Sequence, residues 1–354
     1  MLSKYSFLPV TARVRGKLGL APRMKDIAAD RTELYPANQS RTLPAIALPN
    51  EFGRVRGVEP NSTLALQRSY VEASYLPHGA TIAYRIDDAI LADHTLYSCG
   101  AYEIHRSGGG KRAVLTGSYD EFEEAQLCTY APSSIYFGHW LRDAMAMELL
   151  AEQRGLVPLS YKKTPWVHEP GYRKLMGLPG ATISYARIRR LWMIDDLGLN
   201  AGWVGRFHEL RARVRRAAKP GGPTHVLLAR GSSGTARELL NARVIADLLV
   251  GRGFAVIEPE SLTPQEIVDA LGSATVVVSV EGSAINHVHY AVPAKAGVLV
   301  IEPPDRFNAF HKILMDFNGV RFGYVVGDPA DGGFSLEPER LLRSLDCLEA
   351  AVSQ

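Results

Sequence analysis

Continuously apolar segments alternate with amphipathic ones in the second half of the chain. Runs of apolar residues predict strands at 225–229, 254–257, 275–279, 297–301 and 321–326. Helices are predicted between and after them, at 236–252, 264–271, 283–291, 307–317 and 338–352. Fully apolar strands that alternate with helices are typical of a parallel sheet covered on both faces. The pattern therefore predicts an α/β, Rossmann-like domain over residues 224–336, with its ligand edge at the carboxyl ends of the strands.

The first half of the chain has a less regular pattern. Proline, arginine and short apolar pieces alternate over the first 60 residues and predict no sustained element there. Apolar–polar alternation predicts strand structure within 81–97, and a capping serine and Gly155 bound a strong helix predicted over 133–155. Proline and glycine at 219–223 predict a boundary. We expect an N-terminal domain over 1–218 and a separate final helix over 337–354, which packs back on that first domain or forms a subunit contact.

Composition places the chain among ordinary globular proteins. Apolar residues make up 46% of the 354 residues, and charged residues 22%. The formal net charge of +3 gives no reason to expect nucleic-acid binding. No apolar stretch approaches the roughly 20 residues that cross a bilayer, and no signal peptide is recognisable. Together with three cysteines that show no paired spacing, these features predict a cytoplasmic protein without a structural zinc site.

One run of positive charge stands apart from this balance. Its simplest interpretation is a solvated helix face. The alternative is contact with an anionic polymer or lipid, which leaves open a peripheral position at the inner face of the membrane. The cations of this run are Arg206, Arg211, Arg213, Arg215, Arg216 and Lys219.

Two arginines flank a glycine–serine loop after the strand predicted at 225–229. Arg230 precedes the loop, Arg237 follows it, and Asn241 comes four residues later. Guanidinium groups match phosphate oxygens, and loop and helix N–H groups add donors, so the segment suits a diphosphate. A polar loop with salt-bridged arginines is an equally good interpretation of these residues taken alone.

A second polar turn follows the strand predicted at 275–279. Glu281 lies at the carboxyl end of that strand, and Gly282, Ser283 and Ala284 lead into a predicted helix that contains Asn286. Glycine permits close backbone approach, and N–H groups at a helix start favour anions. Glu281 is a candidate contact to a ribose, a sugar or an acceptor. The alternative is a tight strand–helix turn with a solvated acid.

His139 and Asp143 form a third candidate group. They are four residues apart on the predicted helix 133–155, so they share one face. A carboxylate that supports an imidazole makes a general-base pair. The other interpretation is a half-buried helix in which the two side chains merely hydrogen-bond to each other.

Several familiar motifs are missing from the sequence. No Asp-x-Asp and no His/Cys cluster with metal-ligand spacing occurs, and the adjacent Asp195 and Asp196 would diverge on a strand. The lack of a Gly-x-Ser-x-Gly elbow argues against an α/β-hydrolase, and the lack of Gly-x-Gly-x-x-Gly after a strand argues against an NAD enzyme. We therefore expect arginine and the helix dipole, rather than a divalent metal, to neutralise a bound diphosphate.

Taken in order, the three segments resemble the glycosyltransferase family 61 domain over about residues 130 to 330. The family has a His-Trp-Leu helix, which corresponds here to His139-Trp140-Leu141. It has an Arg…Arg…Asn segment, which corresponds to Arg230, Arg237 and Asn241. It also has a valine-rich strand followed by a Glu-Gly-Ser turn and an Asn, which correspond to 272–278, Glu281-Gly282-Ser283 and Asn286.

The resemblance implies the GT-B architecture, two Rossmann-like domains facing a cleft, and inversion at the anomeric carbon. It implies a nucleotide-sugar donor, expected to be UDP-linked, and a hexosyl- or pentosyltransferase that acts on a saccharide or lipid-linked saccharide in capsule or exopolysaccharide synthesis. No further cofactor is expected.

The same resemblance suggests roles for individual residues. Arg230 and Arg237 would stabilise the leaving diphosphate, the N–H groups of residues 282–284 would add donors, and Asn286 would order their turn. For the base, Asp143 acting with His139 is the first choice, and Glu281 is the second.

Two other functions fit the same architecture. A sugar-nucleotide epimerase would release an altered sugar without any acceptor. A degenerate member would bind a sugar nucleotide, or scaffold an assembly, without catalysis. The second alternative is kept because Glu281 stands where the better-known branch has histidine, and because Arg230 has no second arginine beside it.

Overall fold

The structure is a computed structural model of the 354-residue chain, and it describes residues 7–72, 75–92, 94–105, 119–161, 166–180, 182–229 and 238–353. The chain forms two compact units that interleave along the sequence. Unit 1 comprises Met1–Asn38 and His78–Phe207, and unit 2 comprises Gln39–Pro77 and His208–Gln354. The acceptor-side and donor-side domains expected from the sequence, 1–218 and 224–336, stay a prediction.

The helices of the described residues are numbered in chain order. They are α1 (Leu8–Lys17), α2 (Leu64–Glu72), α3 (Ala131–Ile135), α4 (Phe137–His139), α5 (Met145–Gln153), α6 (Glu169–Met176), α7 (Ala201–Arg216), α8 (Ala242–Gly251), α9 (Pro264–Leu271), α10 (Ile285–Ala291), α11 (Phe310–Phe317) and α12 (Pro338–Val352). Within this described part, no helix combines the length and the apolar character needed to span a membrane.

The strands are numbered in the same way. They are β1 (Asp30–Tyr35), β2 (Asn38–Arg41), β3 (Tyr75–His78), β4 (Thr81–Ala92), β5 (Thr95–Ser98), β6 (Ala101–Ile104), β7 (Asp120–Leu127), β8 (Val157–Tyr161), β9 (Thr182–Ile183), β10 (Tyr185–Asp195), β11 (His225–Leu228), β12 (Ala255–Ile257), β13 (Val276–Val280), β14 (Gly297–Glu302), β15 (Arg321–Val326), β16 (Asp328–Ala330) and β17 (Gly333–Ser335).

Unit 1 is built on a mixed sheet. Its strand order is β6-β5-β4-β10-β7-β8-β9, and β1 pairs with β4 off this path. β4 runs antiparallel to β1, β5 and β10, whereas β7 is parallel to both β10 and β8. The strand region predicted over 81–97 is confirmed as β4 and β5. β7, the helices α3 to α5 and β8 form a β–α–β connection, so the chain passes from the carboxyl end of β7 into these helices.

Two parts of unit 1 differ from the elements that the pattern predicted. The irregular first 60 residues contain α1, whose Ala12 packs with Ile90 and Tyr97. The single helix predicted over 133–155 is divided, because Tyr136 is extended (φ −117°, ψ 127°) and a π turn at Trp140–Ala144 joins α4 to α5. A π turn closes its hydrogen bonds between residues five apart, which a search for the 3.6-residue period does not detect.

Unit 2 contains the parallel sheet that the pattern predicted. Its strand order is β12-β11-β13-β14-β15, and every neighbouring pair is parallel. β13 and β14 are buried at every position, which is why they read as continuous apolar runs. Thr263 and Glu266 form a capping box at the start of α9, with Pro264 as its first residue. The α/β prediction is confirmed.

The final helix, α12, packs on the sheet of its own unit. Leu341, Leu345 and Leu348 share a face of this helix and join the core cluster that contains Leu299. Ile46, which belongs to unit 2, packs against the same cluster. The apolar stripe of α12 therefore packs on β14 and β15, together with Ile46, a residue that lies within the predicted first domain 1–218. The alternative of a subunit contact stays a prediction.

Residues from the early segment Gln39–Pro77 complete unit 2. Ile46 forms a parallel bridge with Gly323 in β15. The carboxylate of Glu51, which is buried, accepts a hydrogen bond from the N–H of Val326 at 2.7 Å. The early segment thus supplies both backbone pairing and a buried hydrogen-bond acceptor to a sheet encoded far downstream.

Part of the basic run 206–219 supports the fold instead of facing solvent. In unit 2 the Nε of Arg211 donates to the carbonyl oxygen of His289 at 3.1 Å, and its Nη2 donates to that of Val292 at 2.5 Å. Arg215 donates to the carbonyl oxygen of Ala291. Burial lowers the pKa of Arg211 to about 10. These two arginines satisfy the carbonyl end of α10, so they are not part of a solvated face.

Candidate functional site

A cluster of four polar side chains lies at the carboxyl end of β7 in unit 1. Tyr130 follows β7, and the other three come from α4 and the π turn after it. The Nδ1 of His139 lies 2.8 Å from Oδ2 of Asp143, so the predicted pair is in contact. We call this group the imidazole cluster; its members are Tyr130, His139, Arg142 and Asp143.

Asp143 is the centre of the imidazole cluster, and its side chain is 3% exposed. Arg142 donates from Nε to Oδ1 at 2.6 Å and from Nη2 to Oδ2 at 2.7 Å. The Tyr130 hydroxyl also donates to Oδ2. Burial raises the pKa of Asp143, but the charge and hydrogen bonds of Arg142 and the hydrogen bond of His139 lower it more, so the net pKa lies well below its ordinary value. The carboxylate is therefore ionised and fully engaged.

Burial and the charge of Asp143 raise the pKa of the Tyr130 hydroxyl. The phenol therefore stays protonated and acts as a hydrogen-bond donor to the carboxylate. Its oxygen also lies 2.8 Å from Nδ1 of His139. Tyr130 thus fixes the carboxylate from the side of β7.

The side chain of His139 is 38% exposed, the larger exposure in the His139–Asp143 pair. A carboxylate can only accept, so the contact of Nδ1 with Asp143 suits a proton on Nδ1, whereas Nη2 of Arg142, which can only donate, lies 2.9 Å from the same nitrogen and suits the other tautomer. In the tautomer that carries its proton on Nδ1, Nε2 is the unprotonated nitrogen, and the polar contacts of the ring with described residues are all at Nδ1. The arrangement can accept a proton at Nε2 and stabilise the imidazolium that results.

A second buried ion pair lies at the same edge of the unit 1 sheet. Asp196 follows β10, which is parallel to β7, and Nη2 of Arg206 donates to its two carboxylate oxygens at 2.7 and 2.6 Å. The neighbouring Asp195 is half-exposed and pairs with Lys25, so the two carboxylates diverge as predicted. Burial raises the pKa of Asp196, Arg206 lowers it, and the charge of Asp143 adds to the rise. The pair is thus within electrostatic reach of the imidazole cluster.

The carboxyl ends of β13 and β14 in unit 2 bring together two buried glutamates. Glu281 follows β13 and is 2% exposed, and Glu302 ends β14 and is 0% exposed. Asn308 links them, because its Nδ2 donates to Oε1 of Glu281 and its N–H donates to Oε2 of Glu302, each at 3.0 Å. Across the described ranges, no three His, Cys, Asp or Glu side chains are grouped closely enough to hold a metal ion. Glu281 lies at the ligand edge of the sheet, where the sequence predicted it.

The turn after Glu281 presents backbone donors. α10 begins at Ile285, two residues later than predicted, and no side chain caps it. The amide of Asn286 donates to the carbonyl oxygen of Ser283 at 2.9 Å and so braces the turn. Of the residues that the structure describes, none accepts a hydrogen bond from the N–H of Gly282, Ser283 or Ala284. Three successive N–H groups are therefore available beside the buried carboxylate.

The predicted diphosphate loop is only partly described. Arg230 and Arg237 lie outside the described residues. Asn241 stands directly before α8, where its Nδ2 donates to the carbonyl oxygen of Leu336 at 2.8 Å and its Oδ1 accepts from the N–H of Leu336 at 3.1 Å. The side chain of Asn241 thus fixes the downstream end of that loop against the segment after β17.

Four residues of these two groups were not found from the sequence or were given no role there. Glu302 ends a strand at the ligand edge, so the rule that led to Glu281 could have found it. Arg142 directly precedes Asp143 in the chain, and residue spacing gives no indication that its guanidinium binds the neighbouring carboxylate. Tyr130 and Asn308 lie outside regular helices and strands, and no periodic pattern marks either residue.

Comparison with protein families identifies the segment that carries most of these residues. The model of one family, Glycosyltransferase 61, matches residues 137–299. This segment belongs to glycosyltransferase family 61. The resemblance found in the motifs is therefore confirmed for this segment, and the match supports a glycosyltransferase. His139, Asp143, Glu281 and Asn286 all lie inside the matched range.

Three solved structures that match the chain do so at low identity. Two mutants of a flavo di-iron protein from Thermotoga maritima match 52% and 61% of this chain at 11% and 8% identity, each with a TM-score of 0.28. A metal-soaked flavodiiron core from Synechocystis matches 51% at 16% identity, with a TM-score of 0.26. The chain covers 46%, 50% and 46% of those chains, about half of each. TM-scores this low do not establish a common fold. No curated protein matches the chain.

Proposed function

We propose that this family 61 chain is an inverting, metal-independent glycosyltransferase of surface-polysaccharide synthesis, acting on capsule or exopolysaccharide. It would move a sugar from a nucleotide-sugar donor to a saccharide or lipid-linked saccharide acceptor. The observation that carries the proposal is the contact between His139 and Asp143 inside the family segment 137–299. Inversion in a single displacement needs one base at the acceptor hydroxyl, and an imidazole held by a carboxylate supplies that base.

In the proposed reaction unit 1 deprotonates the acceptor. The acceptor oxygen attacks the anomeric carbon while its proton passes to Nε2 of His139. The bond from the anomeric carbon to the phosphate oxygen breaks, and the nucleoside diphosphate leaves with that electron pair. Asp143 holds the Nδ1–H and stabilises the imidazolium until the proton is released to water.

We assign the proton to His139 rather than to Asp143 for two structural reasons. Both oxygens of Asp143 accept hydrogen bonds from Arg142, and its pKa is lowered, so the carboxylate is a weak base. The imidazole is the more exposed partner, at 38% against 3%. Asp143 is therefore a positioning residue in this proposal, and Glu281 remains the second candidate for the base.

Unit 2 would hold the donor. The free N–H groups of residues 282–284 suit phosphate oxygens, as does the electropositive start of a helix. Arg230 and Arg237 would neutralise the leaving diphosphate, and Asn241 would anchor their loop. The carboxylate of Glu281, held by Asn308, suits hydroxyl groups of the ribose or the sugar. The expected UDP-linked donor, the GT-B architecture and a cytoplasmic location all stay predictions.

The first test is a thermal-shift screen of the purified chain against UDP, GDP and CMP compounds with EDTA present. A ligand that binds the native state raises the melting temperature. A rise with one nucleotide series therefore supports a metal-independent donor site and identifies the nucleobase of the donor. The Arg230→Ala variant should lose this shift. The absence of any shift in folded protein would count against the donor site and favour the degenerate alternative.

The identified donor then separates transfer from epimerisation. A transferase forms a new glycoside only when a saccharide acceptor is added, and it releases the nucleoside diphosphate in equal amount. An epimerase converts the donor without an acceptor and releases no diphosphate. Conversion of the second kind would overturn the proposal.

A further inference from the structure

The first helix of unit 1, α1, has two apolar faces, of which one is buried. Ala12 packs into a cluster with Tyr97, and Gly16 lies against Tyr102, where a Cβ would come within 2.4 Å of the ring. These contacts hold α1 on β5 and β6 and fix which side of the helix faces outward. The inner face is thus committed to the fold of unit 1.

The outer face carries a second apolar stripe that the fold does not use. At about 100° per residue, the stripe members fall within an arc of about 100° opposite Ala12 and Gly16. Their exposed fractions are high for apolar side chains. They are Phe7 (73%), Val10 (44%), Val14 (52%) and Leu18 (66%), and Leu20, just beyond the helix, is 62% exposed.

The charges around the outer stripe have one sign. Residues 7–25 contain five lysines and arginines and no aspartate or glutamate. By helical position Lys17 and Arg13 lie on one side of the stripe and Arg15 on the other. The guanidinium of Arg13 lies over the rings of Tyr97 and Tyr102. Arg13 also contacts the Tyr97 hydroxyl at 3.0 Å, whereas Lys17 is exposed and forms no ion pair with any described residue. An exposed apolar stripe with cations beside it suits the interface of an anionic bilayer, because the alkyl stems of Lys and Arg lie on apolar surface while their charges meet phosphates.

We propose that the outer stripe of α1 is a membrane-docking surface for anionic phospholipid. Phe7, Val14 and Leu18 would enter the boundary between headgroups and acyl chains, and Lys17 and Arg15 would meet lipid phosphates. The absence of acidic residues from 7–25 favours this occupant over a second copy of the chain, whose own stripe would bring like charges together. The inference does not rest on the proposed glycosyl transfer, because its test has no activity readout.

The experiment is vesicle flotation of the full-length protein. One set of vesicles contains phosphatidylcholine with phosphatidylglycerol, and the other contains phosphatidylcholine alone. We expect binding to the anionic vesicles, weaker binding to the neutral ones, and a fall with added salt. Val14→Ser/Leu18→Ser should lower the partition coefficient by about tenfold or more, because apolar burial is lost. Lys17→Gln should lower it about fivefold, on anionic vesicles only.

A matched control comes from another exposed apolar pair in the chain. Val244 and Val250 on α8 are 54% and 52% exposed, so Val244→Ser/Val250→Ser removes similar apolar surface from a different place. This variant should bind vesicles as the wild type does. All variants lie at exposed positions, and equal melting temperatures would show that they fold.

Three results would overturn the assignment. The first is failure of the wild type to float with anionic vesicles. The second is an equal loss of binding in the control pair on α8. The third is light scattering that shows a dimeric wild type and a monomeric Val14→Ser/Leu18→Ser variant. That result would show that the outer stripe of α1 contacts a second copy of the chain.

Discussion

Replacing Asp143 by asparagine removes the charge at the centre of the imidazole cluster and keeps its shape. The carboxylate is 3% exposed, and it is bound at both oxygens by Arg142, whose side chain is 10% exposed. The variant takes away the buried carboxylate that both Nε and Nη2 of this guanidinium bind. Removing one partner of a buried ion pair costs about 3–5 kcal/mol. We expect Asp143→Asn to lower the free energy of unfolding by that amount at neutral pH.

The size of this loss should depend on pH in a defined direction. Burial raises the pKa of Asp143, but Arg142 and His139 lower it more, so the folded-state pKa lies below the ordinary value of about 3.9. A group with a lowered folded pKa stabilises the protein fully above its unfolded pKa, and that contribution is lost as the pH falls through the folded pKa. The difference in unfolding free energy between wild type and Asp143→Asn should therefore narrow as the pH falls below about 4.

His139→Gln tests catalysis separately from stability. The imidazole is 38% exposed, and Asp143 keeps Arg142 as its partner, so the free energy of unfolding should change by less than about 1 kcal/mol. Loss of a general base lowers the rate by roughly 10²–10⁴. Tyr136, whose ring centroid lies 6.0 Å from that of His139, gives a matched control, because Tyr136→Phe keeps the ring and should keep both rate and stability.

The assay joins two measurements on each variant. Urea unfolding gives the free energy, and release of nucleoside diphosphate from the identified donor gives the rate per folded molecule. A His139→Gln variant that turns over like the wild type would remove Nε2 as the base and move attention to Glu281. An Asp143→Asn variant as stable as the wild type would show that Arg142 finds another counter-charge.

Two further predictions concern groups outside the candidate site. Burial, with a smaller effect of His94, lowers the pKa of His105 to about 4, so between about pH 6.5 and about pH 4 the unfolded chain binds a proton that the folded chain does not. Stability should fall over that range as the pH falls, and His105→Gln should flatten the fall in a urea series; an unchanged slope would contradict this reasoning. Arg211→Ala should cost about 1–3 kcal/mol, because carbonyl groups at the end of α10 lose their donor, whereas the exposed Arg216→Ala should stay within about 0.5 kcal/mol in the same urea melts. Equal effects of the two substitutions would argue against the role of Arg211.

The parts of the fold that the sequence could predict are those determined by local pattern. β13 and β14 were found because burial on both faces makes every position apolar. The helix predicted over 236–252 begins only at Ala242, because Leu239 forms a bridge with Phe334 instead of a helical turn. Such a pairing, between residues 95 positions apart (334 − 239), leaves no mark in a local window.

In the candidate site, too, contacts that follow from local spacing could be predicted, and contacts between distant segments could not. The contact between His139 and Asp143 followed from a spacing of four residues, and Glu281 followed from the rule on strand ends. Tyr130 reaches the same carboxylate from the end of β7, and Asn308 reaches Glu281 from a loop after β14. These contacts are set by the placement of backbone segments in space, so residue type and spacing could not predict them.

The interleaved chain of unit 2 also sets an order of events during synthesis. Glu51 leaves the ribosome 275 residues before Val326, to which it will bind. The continuous stretch His78–Phe207 of unit 1 is complete much earlier, while the segment Gln39–Pro77 still lacks its partner strand. Closing so long a loop is slow, and apolar side chains such as Ile46 that lack their packing partners are prone to association with other chains. The nascent chain must therefore keep Ile46 and its neighbours from other partners until β15 has been made.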